Sequence, residues 1–387
     1  MTVLSVLAWI AAAAWAWLLL LRGGFWRIDR WPQSPEPAAW PAVVAVVPAR
    51  DEAECIGASV RSLLGQDYPG SLSVVVTDDH SSDGTARAAE SAAAEMGAAE
   101  RLTVVAAPPL PPGWSGKMWA QATGLEAAAR HHPDATLWLL TDADIGHGAD
   151  AVRRLVARLG AERLDMLSLM VRLSTAGWVE KAVVPAFVFF FRLLYPFRWV
   201  GDPARRTAAA AGGCMLIRRA MLDHIGGFAG IRDALIDDCA LAAKVKSAGG
   251  RLALDLAERT VSLRRYVGVK ELWMMIARAA FTQLHHSAWL LAGTVAAMAV
   301  GFLLPPWLAV AGGPGRLPAA LAWAAMSLAI LPMLRYYRIS PAAAPLLPLV
   351  ALFYLGATVD SARRHWLGRG GQWKGRAQAH IRQEDKR

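Results

Sequence analysis

Cysteine is scarce in this sequence. The 387 residues include three cysteines, Cys55, Cys214 and Cys239, which lie far apart and form no C-x-x-C pair. This spacing provides no ligand set for a structural zinc ion. A small, odd number of cysteines is typical of a reducing compartment, so we expect three small core residues.

Several common catalytic motifs are also missing. The sequence contains no G-x-S-x-G and no H-E-x-x-H, and the G-x-x-G-K spacing that ends at Lys117 is wrong for a Walker A loop. The pairs His131–His132 and His285–His286 have no partners at metal-ligand spacing. We therefore expect these histidines at the surface or at a membrane interface.

Charged residues make up only 19% of the chain, whereas 55% is hydrophobic, with 17 tryptophans and a mean hydropathy of +0.31. This balance indicates that part of the chain lies in lipid. The net charge of +10 comes from residues that flank apolar segments and form no dense basic tract. Such a distribution is typical of membrane proteins, so we expect a membrane as partner and no nucleic acid.

Four apolar stretches could be membrane segments. Residues 3–21 carry no charge over 19 positions and are followed by arginines, which favours an uncleaved anchor over a cleaved signal peptide. The positive-inside rule makes the next segment cytoplasmic. The other stretches are at about 287–311, 317–334 and 342–359. Three further spans would place the basic tail outside, so a re-entrant or interfacial block stays an open alternative.

Between the apolar ends, strand patterns alternate with helix patterns. The predicted strands are 42–47, 72–77, 102–107 and 136–140, and the predicted helices between them are 52–64, 85–96 and 117–131. This alternation predicts an α/β fold with a mostly parallel, Rossmann-like sheet that is covered by helices on both faces. Ligands of such sheets bind beyond the carboxyl ends of the strands, where three of these strands end in polar or charged clusters.

The next part of the chain is less regular. The patterns predict strands at 165–173 and 212–219 and a helix at 237–250. Two interpretations of the aromatic run 183–199 stay open. It is either an interfacial helix with arginines at the lipid headgroups, or a core helix of the globular domain.

Two acids, Asp142 and Asp144, follow the buried strand 136–140. They repel each other unless they are solvated or share a cation, and their oxygens are the hard ligands that Mg²⁺ or Mn²⁺ prefers. A diphosphate that bridges the ion would explain why both acids are present. Because D-x-D is also frequent in turns and helix caps, the motif alone leaves that alternative open.

Two more acidic pairs and one lysine are candidates for the same site. Asp78 and Asp79 end a strand, where a carboxylate can accept from a base N–H or a ribose hydroxyl. Asp237 and Asp238 begin a predicted helix, either as a capping pair or with one acid as a general base. Lys117 opens a helix, where the dipole disfavours a cation and thus indicates a bound anion.

Six motifs, spread over residues 42–285, carry a family resemblance. They are VVPARDE, VTDDHSSDGT, GWSGKMWAQATGL, LLTDADI, GGCMLIRR and IDDCALA. In this order they resemble the inverting family 2 glycosyltransferases with the GT-A fold. The N-terminal anchor, PPGWSGK, the aromatic run and GQWKGRAQ further resemble the hopanoid-biosynthesis-associated glycosyltransferases of bacteria. The resemblance implies a metal-dependent enzyme that moves a sugar from a nucleoside-diphosphate sugar, expected to be a UDP-sugar, to a lipid acceptor.

The resemblance also implies a role for each matching residue. The nucleotide-sugar site would include Pro48, Ala49, Glu52, Asp78 or Asp79, Lys117 and Asp142. Asp144 would bind the metal together with Asp142, and Asp238 would be the catalytic base, with Asp237 in place of the family's usual Glu. Arg278 would meet the diphosphate or a lipid headgroup, although the rest of the Q-x-x-R-W motif of polymer-forming relatives is missing.

The resulting prediction has five parts. They are an anchor (1–24), a Pro-rich linker (25–41), a GT-A domain (42–285), a hydrophobic membrane region (286–360) and a basic cytoplasmic tail (361–387). We expect a multi-pass protein of the bacterial inner membrane whose catalytic domain faces the cytoplasm. A polyprenyl-phosphate or carotenoid acceptor, and a non-catalytic membrane scaffold on the same fold, remain alternatives.

Overall fold

The computed structural model describes residues 2–29, 31–232, 234, 236–368, 372–373 and 376–377. The chain divides into two compact units. The sheet unit comprises Arg30–Ser174, Trp199–Arg265 and Gln372–Arg387, and the helical unit comprises Met1–Asp29, Thr175–Arg198 and Tyr266–Gly371. From residue 369 onward, the predicted basic tail lies outside the described residues, apart from 372–373 and 376–377.

The described α-helices are numbered along the chain. They are α1 (Val3–Leu21), α2 (Ala53–Leu64), α3 (Thr85–Glu95), α4 (Gly116–His131), α5 (Ala151–Ala161), α6 (Trp178–Leu194), α7 (Phe197–Gly201), α8 (Arg219–His224), α9 (Asp237–Ser247), α10 (Val269–Ala277), α11 (Ala280–Gln283), α12 (Ala288–Met298), α13 (Leu304–Ala311), α14 (Arg316–Tyr336) and α15 (Leu347–Trp366). Short 3₁₀ helices lie at Ala99–Arg101, Gly227–Ile231 and Pro341–Leu346, and a π-helical turn spans Ala299–Leu303.

The described strands are numbered in the same way. They are β1 (Val43–Ala49), β2 (Leu72–Asp78), β3 (Leu102–Ala106), β4 (Leu137–Thr141), β5 (Ile145–Gly146), β6 (Met166–Arg172), β7 (Cys214–Arg218), β8 (Leu252–Ser262), β9 (Gln372–Trp373) and β10 (Arg376–Ala377).

One mixed sheet of eight strands forms the sheet unit, in the order β3-β2-β1-β4-β7-β6-β8-β5. The first four strands are parallel to one another, as the alternating pattern predicted. β7 runs antiparallel to both β4 and β6, and β5 is antiparallel to β8. The sequence predicted neither this reversal nor β5 and β8. All residues of β1 and β4 are buried, which explains why these strands are continuous apolar runs.

Helix α4 packs unusually close to the sheet at Gly124. A Cβ atom at this position would lie 2.5 Å from the Oγ1 atom of Thr77 in β2 and 2.7 Å from a methyl carbon of Val46 in β1. Both distances are shorter than a van der Waals contact, so only glycine fits. The close approach fixes α4, and therefore its first residues, relative to the carboxyl ends of β1 and β2.

The helical unit contains four helices that are long and apolar enough to cross a membrane. They cover Val3–Leu21, Ala288–Ala311, Arg316–Tyr336 and Pro341–Trp366, which confirms the four stretches predicted from the sequence. Residues 183–198 of the aromatic run lie in this unit, and residues 183–194 form most of α6.

The span Ala288–Ala311 continues across Pro305 and Pro306 through its π-helical turn. Pro305 has no N–H, so the carbonyl of Gly301 has no helical donor four residues later. The indole Nε1 of Trp15 in α1 donates to this carbonyl at 2.8 Å. Backbone groups must be satisfied inside a bilayer, so this contact lets a proline-containing helix remain suitable for a membrane.

Candidate active site

The ends of several strands and helices meet at one edge of the sheet unit. Ala49 at the end of β1 is paired with Asp78 at the end of β2. Thr141 at the end of β4 is paired with Cys214, and because β7 is antiparallel, Cys214 is the first residue of its strand. Ile145 in β5 is paired with Ser262 at the end of β8. The loops that follow or precede these residues therefore lie at the same edge.

The loops after β1 and β2 are joined by backbone-to-side-chain hydrogen bonds. The N–H of Asp51 donates to Ser81 Oγ at 2.9 Å, and the N–H of Glu52 donates to Thr85 Oγ1 at 2.9 Å. Asp51 has a φ of +49°, a strained conformation for a residue other than glycine. The polar residues that follow β2 thus hold a bent loop in place at the edge of the sheet.

Asp79 is an enclosed carboxylate in this loop, with a relative exposure of 1%. Its N–H donates to the carbonyl of Ala49 at 2.8 Å, and its Oδ1 lies 3.2 Å from Nδ1 of His80. The Nη1 atom of Arg50 lies 3.5 Å from Asp79 Oδ2 and donates to the Asp79 carbonyl. Asp79 is thus a buried carboxylate with a guanidinium and an imidazole beside it.

Asp78 has a different environment from Asp79. Its Oδ1 accepts from the N–H of Ser81 at 3.2 Å, which is a local turn contact. Pro48 and Ala49 are buried within β1, so they reach the edge of the sheet through their backbone. Of the two adjacent acids, Asp79 is the one enclosed among polar groups of other residues.

Lys117 lies among acids from two other elements. Its Nζ atom is 2.8 Å from Asp142 Oδ1, after β4, and 3.3 Å from Asp237 Oδ2, at the start of α9. Burial favours the neutral amine, but the charges of Asp142 and Asp237 outweigh this effect and raise the pKa of Lys117. The carboxylates of Asp142 and Asp237 are the anions that contact this lysine in the structure, and the bound anion that the sequence predicted beside it stays a prediction.

Asp238 is adjacent to this group. Its Oδ2 accepts from the N–H of Gly212 at 2.8 Å, and its Oδ1 accepts from the N–H of Cys239 at 2.7 Å. Burial and the charge of Asp237 raise the pKa of Asp238 to about 6, against the opposing effects of Lys117 and the two N–H donors. A positioned carboxylate with this pKa can accept a proton near neutral pH.

Gly212, just before β7, lies beside two of these groups. A Cβ atom built on it would lie 3.4 Å from Lys117 Nζ and 3.5 Å from Asp238 Oδ2, which are ordinary van der Waals distances. The first glycine of the GGCMLIRR motif therefore borders the site.

Asp144 lies on the same turn as Asp142. Burial, followed by the charges of Asp142 and Glu52, raises the pKa of Asp144 to about 6, and Arg264 and Lys117 act in the opposite direction. The electrostatic effect of Glu52 shows that the loop after β1 is close to the turn after β4. We call Asp142, Asp144, Asp237 and Asp238, with Lys117 between them, the carboxylate cluster.

Arg264 is a site residue that the sequence did not indicate. The N–H of Leu263 donates to the carbonyl of Asp144 at 2.7 Å, which continues the pairing of β5 with β8 and brings Arg264 next to the turn after β4. Its charge lowers the pKa of Asp144. Without β8 in the prediction, the sequence carried no signal that linked residues 264 and 144.

A second residue that the sequence did not indicate is His147, which is buried. Its Nε2 atom lies 3.0 Å from Thr141 Oγ1, and the same hydroxyl donates to the carbonyl of Gly213 at 2.7 Å. Burial lowers the pKa of His147 to about 4, so the imidazole is neutral at physiological pH. Thr141 and His147 lie on either side of the turn that carries Asp142 and Asp144. Their contact, together with the bond to Gly213, holds this turn next to the loop before β7.

The remaining candidate, Arg278, belongs to the helical unit. It follows α10, and its side chain is exposed. Its predicted contact with a diphosphate or a lipid headgroup stays a prediction. Within the part of the chain that the structure describes, no three His, Cys, Asp or Glu side chains form a ready-made metal site.

The chain was compared with known families and structures. The family model "Glycosyltransferase like family 2" matches residues 41–288, which is well over half of the chain. No curated protein sequence matches the chain.

Solved structures with the GT-A fold resemble the chain. The mannosyltransferase PcManGT from Pyrobaculum calidifontis, in complex with GDP-Man and Mn²⁺, has a TM-score of 0.59 and 23% identity over 93% of this chain and 99% of its own. Glucosyl-3-phosphoglycerate synthase of M. tuberculosis has a TM-score of 0.42 and 19% identity over 63% of this chain and 80% of its own. S. aureus TarS 1–349, in complex with UDP-GlcNAc, has a TM-score of 0.40 and 15% identity, over 85% of this chain and 92% of its own.

The likeness to PcManGT, at this level of identity, shows the fold and nothing further. The family match over residues 41–288 covers the whole edge of the sheet where the carboxylate cluster lies. This chain, with its GT-A sheet and its candidate membrane helices, therefore belongs to the family 2 glycosyltransferases.

Proposed function

We propose that the chain is a membrane-bound, inverting, metal-dependent glycosyltransferase. It moves a sugar from a nucleoside-diphosphate sugar to a lipid acceptor, in the biosynthesis of hopanoids or related glycolipids. One observation carries the proposal: Asp142, Asp237 and Asp238 come from two separate elements and gather around Lys117 at the carboxyl edge of the sheet. The family membership supports the reaction class, and the four apolar helices support a membrane location.

In this proposal the two joined loops, one after β1 and one after β2, hold the nucleoside. Asp79 accepts from the base or the ribose, and Glu52 and the backbone of Pro48 and Ala49 line the same loop. The enclosed position of Asp79 beside Arg50 supports this assignment over Asp78, whose carboxylate already accepts from the N–H of Ser81.

The residues after β4 fit a divalent cation. Asp142 and Asp144 supply hard oxygen donors on one turn, where burial and then the charges of Asp142 and Glu52 raise the pKa of Asp144. PcManGT, which shares the fold, was solved with Mn²⁺. We therefore assign Mg²⁺ or Mn²⁺ to Asp144 and Asp142. When bound, the ion would neutralise charge on the diphosphate leaving group.

The chain's own residues supply the other steps. Asp238 accepts the proton of the acceptor hydroxyl as that oxygen bonds to the anomeric carbon of the sugar. The bond from this carbon to the diphosphate oxygen breaks in the same displacement, which inverts the configuration. Lys117 exchanges its contact with Asp142 for the diphosphate and stabilises the charge that develops on it.

The acceptor part of the proposal rests on the helical unit and on the resemblance to hopanoid-associated enzymes. A lipid acceptor suits a chain whose four apolar helices could cross a membrane. Arg278, at the end of α10, is our candidate for contact with a diphosphate or a lipid headgroup. The catalytic face would lie in the cytoplasm, where nucleoside-diphosphate sugars are made.

Transfer to lipid tests the proposal directly. Membranes that contain the full chain are incubated with radiolabelled UDP- and GDP-sugars, Mn²⁺ and bacterial lipid extract, and the lipids are then extracted. We expect one labelled lipid with the wild type and none with Asp238→Asn or with EDTA. A label on a polyprenyl phosphate would exclude the hopanoid assignment. No label with any donor would favour the non-catalytic scaffold.

Lipid profiling of a deletion strain identifies the natural product. We expect one glycolipid to be lost, and to return when the wild-type gene is restored. If Asp238→Asn restores it equally well, the assignment of the catalytic base is wrong.

A further inference from the structure

A buried glutamine of the sheet unit has a polar atom that the fold does not use. Gln121 lies in α4 and has a relative exposure of 1%. Its amide oxygen, Oε1, has no hydrogen-bond partner among the described residues. Such an oxygen gives up its bond to water on folding and gains no bond in return, which costs free energy. A buried acceptor of this kind therefore calls for an explanation, either a bound ligand or an internal water.

Gln66, in the same unit, shows the contrasting case of a structural glutamine. Its Nε2 atom donates to the carbonyls of Ser62 and Gly148, both at 2.8 Å. Its Oε1 atom accepts from the N–H of Val152 at 2.9 Å. Both polar atoms of that amide thus hold the fold together. The amide oxygen of Gln121 makes no such link, so support of the fold does not explain why this buried position carries a polar side chain.

Gln121 lies on the face of α4 that packs on the sheet. Gly124, three residues later, makes the close approach to Val46 and Thr77. Lys117, four residues earlier, contacts the acids of the carboxylate cluster. Residues three and four apart share one face of a helix, so Gln121 lies between the sheet contact and the cluster. A helical side chain also leans toward the N-terminus of its helix, which for α4 is the end beside the cluster.

The same face of the sheet carries residues of the proposed nucleoside site. Side chains alternate along a strand, so Pro48 lies on the face of Val46. The N–H of Asp79 donates to the carbonyl of Ala49 at 2.8 Å, which extends the pairing of β1 with β2 as far as Asp79. Asp79 therefore continues the face of Thr77, two residues earlier. Both faces are the ones that α4 covers.

Helix and strand geometry place the glutamine at the level of these residues. From Gly124 to Gln121 the helix axis advances about 4.5 Å toward the edge of the sheet. Two residues of a strand span about 6.6 Å, so this step leads from the level of Val46 to that of Pro48. The lean of the side chain then directs the amide further along the same face, toward Asp79.

We infer that the amide oxygen of Gln121 accepts a hydrogen bond from a ring N–H of the donor's nucleobase, beside Asp79. Glutamine amides recognise the edges of bases elsewhere in proteins. Uracil and guanine each present a ring N–H next to a carbonyl, whereas cytosine and adenine present a bare ring nitrogen at that position. Gln121 is thus a specificity residue that favours a uridine or guanosine donor. The inference rests on the proposed function, because it requires a nucleotide donor.

The test compares nucleotides that differ at this ring N–H. Calorimetry with the full-length protein and Mn²⁺ measures UDP against CDP, and GDP against ADP. We expect the wild type to bind UDP or GDP at least tenfold more tightly than its counterpart. Gln121→Met keeps the length of the side chain and loses the amide, so it should reduce this ratio about fivefold. The matched control Ser59→Ala removes another buried oxygen without a partner, in α2, and should leave the ratio unchanged.

Thermal unfolding of the nucleotide-free protein distinguishes a ligand from an internal water. Gln121→Met replaces an unpartnered amide with an apolar group, so the apparent midpoint should rise by about 2 °C. A lower midpoint with an unchanged nucleotide ratio would mean that the amide supports the fold through a water, and would overturn the inference. A lower midpoint with a reduced ratio would still support it, because both nucleotides are measured on the same variant.

Failure of the inference and failure of the proposed function give different results. A wild type that binds nucleotides, with the same ratio in Gln121→Met, would contradict the inference alone. Equal weakening of UDP and CDP in Gln121→Met would also contradict it, since the ribose and the diphosphate are common to both. A wild type that binds no nucleoside diphosphate would contradict the proposed function together with the inference.

Discussion

The carboxylate cluster of the sheet unit and a group of arginines in the helical unit, Arg22, Arg27, Arg192 and Arg198, both bring charges of one sign together. In the carboxylate cluster, Lys117 lies between Asp142 and Asp237, and burial, followed by the charge of a neighbouring acid, raises the pKa values of Asp144 and Asp238 to about 6. These two carboxylates can therefore take up a proton near this pH. Guanidinium groups keep their charge; Arg198 pairs with Asp29, and Arg22 and Arg192 donate to backbone carbonyls.

The difference indicates what each group of charges does. A cluster of acids that can titrate and already holds a lysine suits a site where cations and protons are exchanged during a reaction. The arginines that donate to main-chain carbonyls tie the end of α1 to the end of α6, which is a structural role.

The largest effect on turnover is expected from replacing Asp238, the proposed general base. Asp238→Asn keeps the size of the side chain and removes its basicity, so we expect turnover to fall by about 10²- to 10⁴-fold, the usual contribution of a general base. Sugar transfer under saturating donor measures it. The control Asp223→Asn changes an acid in α8 whose side chain is 68% exposed, and it should leave turnover unchanged. Equal turnover in both variants would remove Asp238 from the mechanism.

Lys117→Gln would remove the cation from the carboxylate cluster and leave only acids there. We expect donor kcat/KM to fall about 10²-fold because the diphosphate loses its cation. The free energy of unfolding should fall by about 2 kcal/mol, less than for a fully buried pair, because the lysine side chain is 19% exposed.

Arg61→Gln is the control for stability. This arginine pairs with Glu95 in a contact where both side chains are well exposed, so the free energy of unfolding should change by less than about 0.5 kcal/mol. Chemical denaturation measures both variants. If Lys117→Gln is as stable and as active as Arg61→Gln, the lysine is not the centre of the site.

A smaller effect is expected at Arg264, beside Asp144. Arg264→Gln should raise the KM for the donor about tenfold with little change in kcat, since one charge-assisted contact to a phosphate is worth about 1.5 kcal/mol. Steady-state kinetics with varied donor measures it. The neighbouring Arg265→Gln removes the same charge one residue further on. A KM that rises equally in both variants would indicate a general effect of charge.

The smallest effect is a dependence on pH. The raised pKa of Asp238 means that its charged, basic form is fully present well above pH 6 and is lost as the pH falls through about 6. We expect kcat/KM to halve near pH 6 and then to fall about tenfold per pH unit. A profile that remains flat down to pH 5 would contradict the assignment of the base.

The sequence was informative where a local pattern coincided with a strand end. Apolar runs predicted β1, β2, β3 and β4, and the acids after β4 marked the carboxyl edge of the sheet. The direction of β7 could not be predicted, because the alternation of apolar residues is the same in both directions. β8 was missed because Asp255, Glu258 and Arg259 interrupt its apolar pattern.

The parts of the site that the sequence did not reveal depend on tertiary register. Arg264 comes next to Asp144 only through the pairing of Ile145 with Ser262. His147 is related to the site through its contact with Thr141, which holds the turn against Gly213. Neither the proximity of Arg264 to Asp144 nor the contact of His147 with Thr141 can be predicted from residue spacing or composition.

Nucleotide binding with and without metal tests the central claim most directly. Calorimetry would titrate UDP and GDP into the full-length wild type and into Asp142→Asn/Asp144→Asn, each with Mn²⁺ and with EDTA. We predict that one nucleoside diphosphate binds the wild type in Mn²⁺, and that its affinity falls at least tenfold in EDTA and in the double variant. Equal affinity in EDTA, or no binding of either nucleotide, would contradict a site where acids hold a cation for a diphosphate.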